Sequence, residues 1–186
     1  MILTNIKFSF KTAPISLSTV ALRCADFGYK TKEFANFVVI RIRTSNLEDV
    51  NWVCTVFKKN LNGNKPQHVN VTNLKSTKQI PRIIQHLSAV GLTHIPGTTV
   101  IDNVTGLMTA GKLVLEEVIR AIPSRKIQAN QILDSKFGAI HGLSIHYNNE
   151  RFPGLFIKFK RNLEKIGTAI LFHSGKIVIV GCKGPD

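Results

Sequence analysis

The sequence predicts an α+β fold built from two copies of one strand-rich unit. Three observations carry this. A block order runs twice along the chain, apolar residues alternate as in a sheet covered on one face, and Ser76–Leu92 has the period of a helix.

In the first half Asn5 opens an apolar strand, and Tyr29–Phe34 precedes the run Phe37–Arg43. Val56-Phe57 and Val69–Lys75 follow. In the second half Asn103 opens a strand, and Tyr147–Phe152 precedes Leu155–Lys160. Leu171-Phe172 and Ile177–Lys183 follow. Tyr and Phe are five residues apart in both copies. The pattern places two repeats at 1–95 and 96–186.

Taken in order, the first repeat reads as a strand near Leu3–Lys11, a helix near Ser16–Asp26, strands near Phe37–Arg43, Val50–Lys58 and His68–Leu74, and a helix near Thr77–Val90. That last helix is the clearest element. Ile80, Ile83, Ile84, Leu87 and Val90 share one face, and Gly91 stands as its stop. The second repeat gives a helix near Leu113–Ile122 and strands near Leu155–Lys160, Gly167–His173 and Lys176–Gly181.

The copies differ in two places. Asn103 to Phe152 spans 49 residues against 29 from Asn5 to Phe34, which implies an insertion near Pro123–His141, and no copy of the helix Thr77–Val90 follows Lys183. The insertion is expected on the helix-bearing side. A surplus residue between Phe34 and Arg41, relative to Phe152 and Lys158, implies a bulge there.

Composition narrows the partner. Lys and Arg number 25 against 11 Asp and Glu, a net charge of +14, and the excess lies in both copies: 13 against 4 in 1–95, and 12 against 7 in 96–186. A basic surface repeated with the fold favours a polyanion. No apolar run reaches the roughly 18 to 20 residues of a membrane-spanning helix, and Met1–Phe10 does not read as a signal peptide. A soluble, intracellular protein with no membrane partner is expected. Cys24, Cys54 and Cys182 lack metal-like spacing and read as reduced, buried small hydrophobes.

Catalytic chemistry finds no purchase. His141 and His146 are five apart, off one helical face, and Gly91, Gly97, Gly106 and Gly111 form no phosphate loop. Ser174-Gly-Lys176 reads as a hairpin turn. No nucleophile or carboxylate pair stands out, so no enzyme, catalytic residue, metal site or cofactor is expected. An RNA-binding module with exposed sheet aromatics is a rival, but it leaves the paired Tyr-to-Phe repeats unexplained.

Five blocks carry a family signature: Thr19–Arg23, Tyr29–Phe34, Ile40-Arg-Ile-Arg43, Phe152-Pro-Gly-Leu155 and Leu171-Phe-His-Ser-Gly-Lys176. In order and nearly in register, they resemble the conserved core of the TATA-binding protein family. The resemblance implies a pseudo-twofold saddle of two repeats, each a curved antiparallel sheet, with helices on the convex face and the concave face on the DNA minor groove. It implies that Phe34, Phe57, Phe152 and Phe172 intercalate between base steps. An apolar ring replaces part of the lost stacking there, offsetting roughly a few kcal/mol per step, a magnitude taken from groove-kinking proteins that include this family.

By the same resemblance, Asn5 and Asn103 touch the central base pairs, with Thr72, Val178, Val180 and Pro153 also contacting bases. Val180 stands where the first repeat has Thr72, which breaks the symmetry. Arg41, Arg43, Lys75, Lys158 and Lys183 hold phosphates, giving affinity and salt dependence rather than sequence choice. Lys7 and Asn70 stand where the family has apolar groove residues.

The implied function is that of a general transcription initiation factor. It binds and bends A/T-rich, TATA-type promoter DNA and nucleates the preinitiation complex. Implied partners are transcription factor IIB-like proteins through Glu150, and IIA-like proteins through Thr44–Asn51 and the helix Thr77–Val90, with the RNA polymerase machinery beyond. The implied place is the nucleus, or the infected-cell transcription site for a viral source. Lys7, Asn70 and Val180 keep an alternative open: a divergent relative that binds DNA without TATA preference and mainly recruits partners.

Overall fold

The computed structural model describes residues 2–43, 51–58, 65–121, 142–161 and 164–183. Contacts divide the chain into two units, one over Thr4–Asp102 and one over Asn103–Asp186 with Met1–Leu3. The α+β class expected from the sequence is the one observed.

The first unit runs β1 (Ile2–Thr12), α1 (Leu17–Asp26), β2 (Lys30–Glu33), β3 (Phe37–Ile42), β4 (Trp52–Phe57), β5 (Gln67–Leu74), a 3-10 turn at Thr77–Gln79 and α2 (Ile80–Ala89). Its strands lie in the order β2-β3-β4-β5-β1, all antiparallel. Strict alternation buries one face: Val38, Ile40, Ile42, Trp52, Cys54, Val56, Val69 and Val71 are all sealed.

The helices follow from local chemistry. Ser16 caps α1, its hydroxyl accepting from the Thr19 N–H at 3.1 Å. Ser76 and Gln79 form a capping box, and Pro81 at the start of α2 loses no helical hydrogen bond. At the far end Gly91 takes φ +91°. Its N–H donates to Ser88 O at 2.9 Å and the Leu92 N–H donates to Leu87 O at 3.0 Å, closing the last turn as a Schellman motif. The helix expected over Thr77–Val90 therefore begins as a 3-10 turn.

The second unit runs β6 (Val100–Thr109), α3 (Leu115–Ala121), β7 (Gly142–Asn148), β8 (Phe152–Arg161), β9 (Glu164–Phe172) and β10 (Lys176–Cys182), in the order β6-β10-β9-β8-β7. Its pairs are antiparallel too. Leu115 of α3 joins Leu155, Ile157, Ala169 and Leu171 in the core.

Two strands escaped the sequence reading. In β2 every residue of Lys-Thr-Lys-Glu is exposed, so an edge strand carries no alternation to read. β7 was hidden beside the insertion, although Leu143 and Tyr147 pack on the core. The bulge expected between Phe34 and Arg41 is a correction. β2 and β3 pair without a shift from Lys30↔Arg41 to Glu33↔Val38, and the surplus residue lies in the hairpin turn, where the Phe34 N–H donates to Phe37 O at 2.9 Å. Absorbing it in the turn leaves the buried alternation of β3 intact. The insertion Pro123–His141, the segment Thr44–Val50 and the residues after Lys183 lie outside the described residues. No helix among the described residues is long and apolar enough to cross a membrane.

Candidate nucleic-acid interface

Register makes the two repeats comparable position by position. Phe57 pairs with Phe37, and Phe172 pairs with Gly154. One step inward the rows read Val39–Thr55–Asn70–Ser9 in the first unit and Phe156–Ile170–Val178–Leu107 in the second. A further step gives Arg41–Val53–Thr72 and Lys158–Thr168–Val180. These rows lie on the sheet face opposite the sealed one.

Each unit collects three rings at one end of that face. In the first, Phe34 stacks on Phe37 with centroids 4.5 Å apart, and Phe37 tilts against Phe57 at 6.1 Å. In the second, Phe152 meets Phe172 edge-on at 5.8 Å and Phe156 at 5.1 Å. Phe34 is 42% exposed and Phe152 39%. The expected pair Phe152 and Phe172 is thus in direct contact, whereas Phe34 reaches Phe57 through Phe37. Neither Phe37 nor Phe156 was singled out in the sequence. Pro153 is exposed beside Phe152, and Glu150 is exposed in the preceding turn.

Asn5 and Asn103 occupy matched places. β5 and β10 each bulge where they meet the Asn-bearing strand, with Asn73 at φ +73° and Gly181 at φ +80°. The bulge turns a backbone N–H to the side chain: Asn73 N–H donates to Asn5 Oδ1 at 2.6 Å, and Gly181 N–H to Asn103 Oδ1 at 2.7 Å. Engaging each oxygen leaves the NH2 group as the amide's remaining hydrogen-bonding group, a donor. The Asn103 NH2 also reaches Thr105 Oγ1 at 3.3 Å. Both asparagines lie inside their strands rather than opening them.

The remaining expected residues are placed as follows. Thr72, Val178 and Val180 are half-buried on the rows above; Thr72 Oγ1 donates to Val53 O at 3.4 Å. Arg41, Arg43, Lys75, Lys158 and Lys183 are exposed, and the Lys75 ammonium donates to Thr4 O. Lys7 faces Asp102 at 3.9 Å, and Ser9 Oγ donates to the same carboxylate at 3.1 Å. Asn70 Oδ1 is buried with no hydrogen-bond partner among the described residues.

The family model for transcription factor TFIID, or TATA-binding protein, matches residues 135–186. Thirteen solved chains match, among them the Methanococcus jannaschii TATA-binding protein, at a TM-score of 0.60 and 19% identity over 99% of this chain and 88% of that one. In fold, this chain is similar to the TATA-binding protein. No curated protein sequence matches it. The TATA-binding-protein fold accounts for the duplicated strand order and the matched bulges. Its signature in sequence is strongest in the second unit, whose half carries Phe152-Pro-Gly-Leu155 and Leu171–Lys176.

Proposed function

We propose that this chain is a transcription initiation factor that binds A/T-rich promoter DNA in the minor groove, bends it by inserting Phe34, Phe57, Phe152 and Phe172, and nucleates a preinitiation complex in the nucleus or its viral equivalent. The observation that carries this reading is the ring cluster at the matched end of each uncovered sheet face, with Phe34 and Phe152 exposed. A large apolar ring kept partly in water is costly unless it has a partner, and an unstacked base step offers one.

The pinned asparagines support the same reading. A·T pairs present only acceptors in the minor groove, adenine N3 and thymine O2, and an amide whose oxygen is already engaged offers them its donor. Arg41, Arg43, Lys75, Lys158 and Lys183 then neutralise phosphates, making affinity fall with salt. Pro153, Val178, Val180 and Thr72 contribute groove contacts. Glu150 serves a factor IIB-like partner, and α2 a factor IIA-like one.

A specific observation favours the second reading, DNA binding without TATA preference. The first unit's row holds Thr55, Asn70 and Ser9, beside Lys7 and Asp102, where an apolar floor suits A·T edges. Energy transfer across a short duplex labelled at both ends separates the two. A change on a TATA-type site and not on a scrambled one, weakening as salt rises, is expected; equal binding without bending would overturn the promoter reading and leave the second.

A further inference from the structure

The matched register also pairs positions on the sealed faces, and there the units diverge. Ile42, Trp52, Val71 and Leu74 of the first unit correspond to Phe159, Gly167, Ile179 and Cys182 of the second. In the first unit all four are buried, and α2 stands over them: the His86 ring lies 5.9 Å from the Trp52 ring, and the Arg82 guanidinium 5.9 Å over its face. In the second unit the same place is an open cavity of about 330 Å³ that, among the described residues, no helix residue lines. Phe159, Gly167, Ile179 and Cys182 form its floor. Gly167 carries no side chain where the first unit has Trp52, and Cys182 Sγ lies 2.9 Å from where a Cβ on it would stand, so the cavity opens beside this pair.

The rim is charged. Arg161, Lys165 and Lys183 surround the opening, with Glu164 the one acid among the described lining residues. The element that covers these strands in the first unit is basic, since α2 and its lead-in carry Lys78 and Arg82 and no acid. Such a helix suits the first unit and would be repelled here.

We propose that this groove receives an acidic amphipathic helix of a partner protein, which seats one large apolar side chain in the cavity beside Gly167. The helix repeats the packing of α2 on the equivalent strands, its apolar stripe on Phe159, Ile179 and Cys182 and its carboxylates on Lys165 and its neighbours. This inference is independent of DNA binding, which uses the opposite face.

The test is a fluorescent peptide of residues Ser76–Leu92 carrying Lys78→Glu, Arg82→Glu and His86→Trp, because position 86 is the one that sits beside the Trp52 site. The full chain should raise its anisotropy, and the bound peptide should protect the partly exposed Cys182 thiol from alkylation while Cys24 and Cys54 stay buried. The unaltered basic peptide should bind about tenfold more weakly or worse, as should the acidic peptide to a Lys165→Glu chain, each losing charge-assisted contacts. Cys182→Phe, which fills the cavity, should block binding with the fold intact by circular dichroism. Equal binding of both peptides, indifference to Lys165→Glu, or no binding would overturn the proposal. So would a Cys182 already protected without peptide: sedimentation would then assign the cover to a second copy, if dimeric, or to residues 122–141, if monomeric.

Discussion

The two uncovered faces share a register and differ in chemistry. Where the first unit sets Val39, Thr55, Asn70 and Ser9 across its strands, the second sets Phe156, Ile170, Val178 and Leu107. Backbone pairing, the bulge and its pinned asparagine are kept in both, so those are the parts that the duplicated fold requires. The row between them has diverged from apolar to polar, which changes what each half can grip. An apolar row gains by shedding water against a groove floor, whereas a hydroxyl or amide must find a partner there or lose one.

The ring clusters offer the largest test of that comparison. Phe152→Ala with Phe172→Ala should abolish bending and weaken DNA binding by roughly two orders of magnitude, given an unstacking term of roughly a few kcal/mol per step. The matching pair Phe34→Ala with Phe57→Ala should do so less completely, because Phe37 remains stacked in the first cluster. Phe37→Ala alone should then cost more than Phe156→Ala, in end-to-end energy transfer as in affinity. Equal losses at Phe37 and Phe156 would mean that Phe37 is packing only.

The bulges come next. Gly181→Val forces a β-branched residue to φ +80°, where L residues lose about 1–2 kcal/mol, while Asn73→Gly relieves an Asn held at φ +73° and in exchange loses the Asn73 Nδ2 donation to Asn51 O at 2.7 Å. Denaturant melts should show the first variant destabilised by about that amount and the second near wild type. Because Asn103 Oδ1 depends on the Gly181 N–H, the first variant should also lose preference for A·T over G·C; a stability loss with unchanged base preference would separate the bulge from the asparagine.

Much of this was legible in the sequence because duplication fixes register: the equal spacing of Tyr29 to Phe34 and of Tyr147 to Phe152 matches the two copies just ahead of β3 and β8. The clear helix at Ile80–Ala89 and the alternation of β3, β4 and β5 followed from apolar periodicity. β2 was illegible because all four of its residues face solvent, so pairing with β3 alone defines it. The pinning of Asn5 and Asn103 was illegible for another reason. It depends on backbone N–H groups turned by bulges at Asn73 and Gly181, which periodicity does not encode.

Asn70 gives a smaller effect in the opposite direction. Its Oδ1 is buried without a partner among the described residues, while its counterpart in the second unit is Val178. Asn70→Val should stabilise the chain by about 1 kcal/mol in a denaturant melt, since an unmet acceptor costs roughly that much. It should also bring the TATA preference of the first half toward that of the second. A destabilised variant would mean that the amide is satisfied in solution.

The smallest effect lies on the helix-bearing sides, where each unit pairs a tyrosine with a histidine. Tyr147 OH stands 3.3 Å from His173 Nε2 in an exposed setting, whereas Tyr29 OH stands 2.7 Å from His86 Nδ1 among Trp52 and Arg82. Burial, and then the Arg82 charge, lower the His86 pKa below its ordinary 6.5. The neutral ring is therefore the native form, accepting from the Tyr29 hydroxyl, whose own pKa burial raises. An unfolded chain takes up the proton near 6.5 and the folded one resists it, so this site costs no stability above that pH. As pH falls below it, stability declines until the folded pKa is passed. His86→Gln removes the proton uptake while keeping a polar group beside Tyr29. Its melting temperature should fall less between pH 7.5 and 5 than that of the unaltered chain; parallel curves for the two would place the acid sensitivity elsewhere.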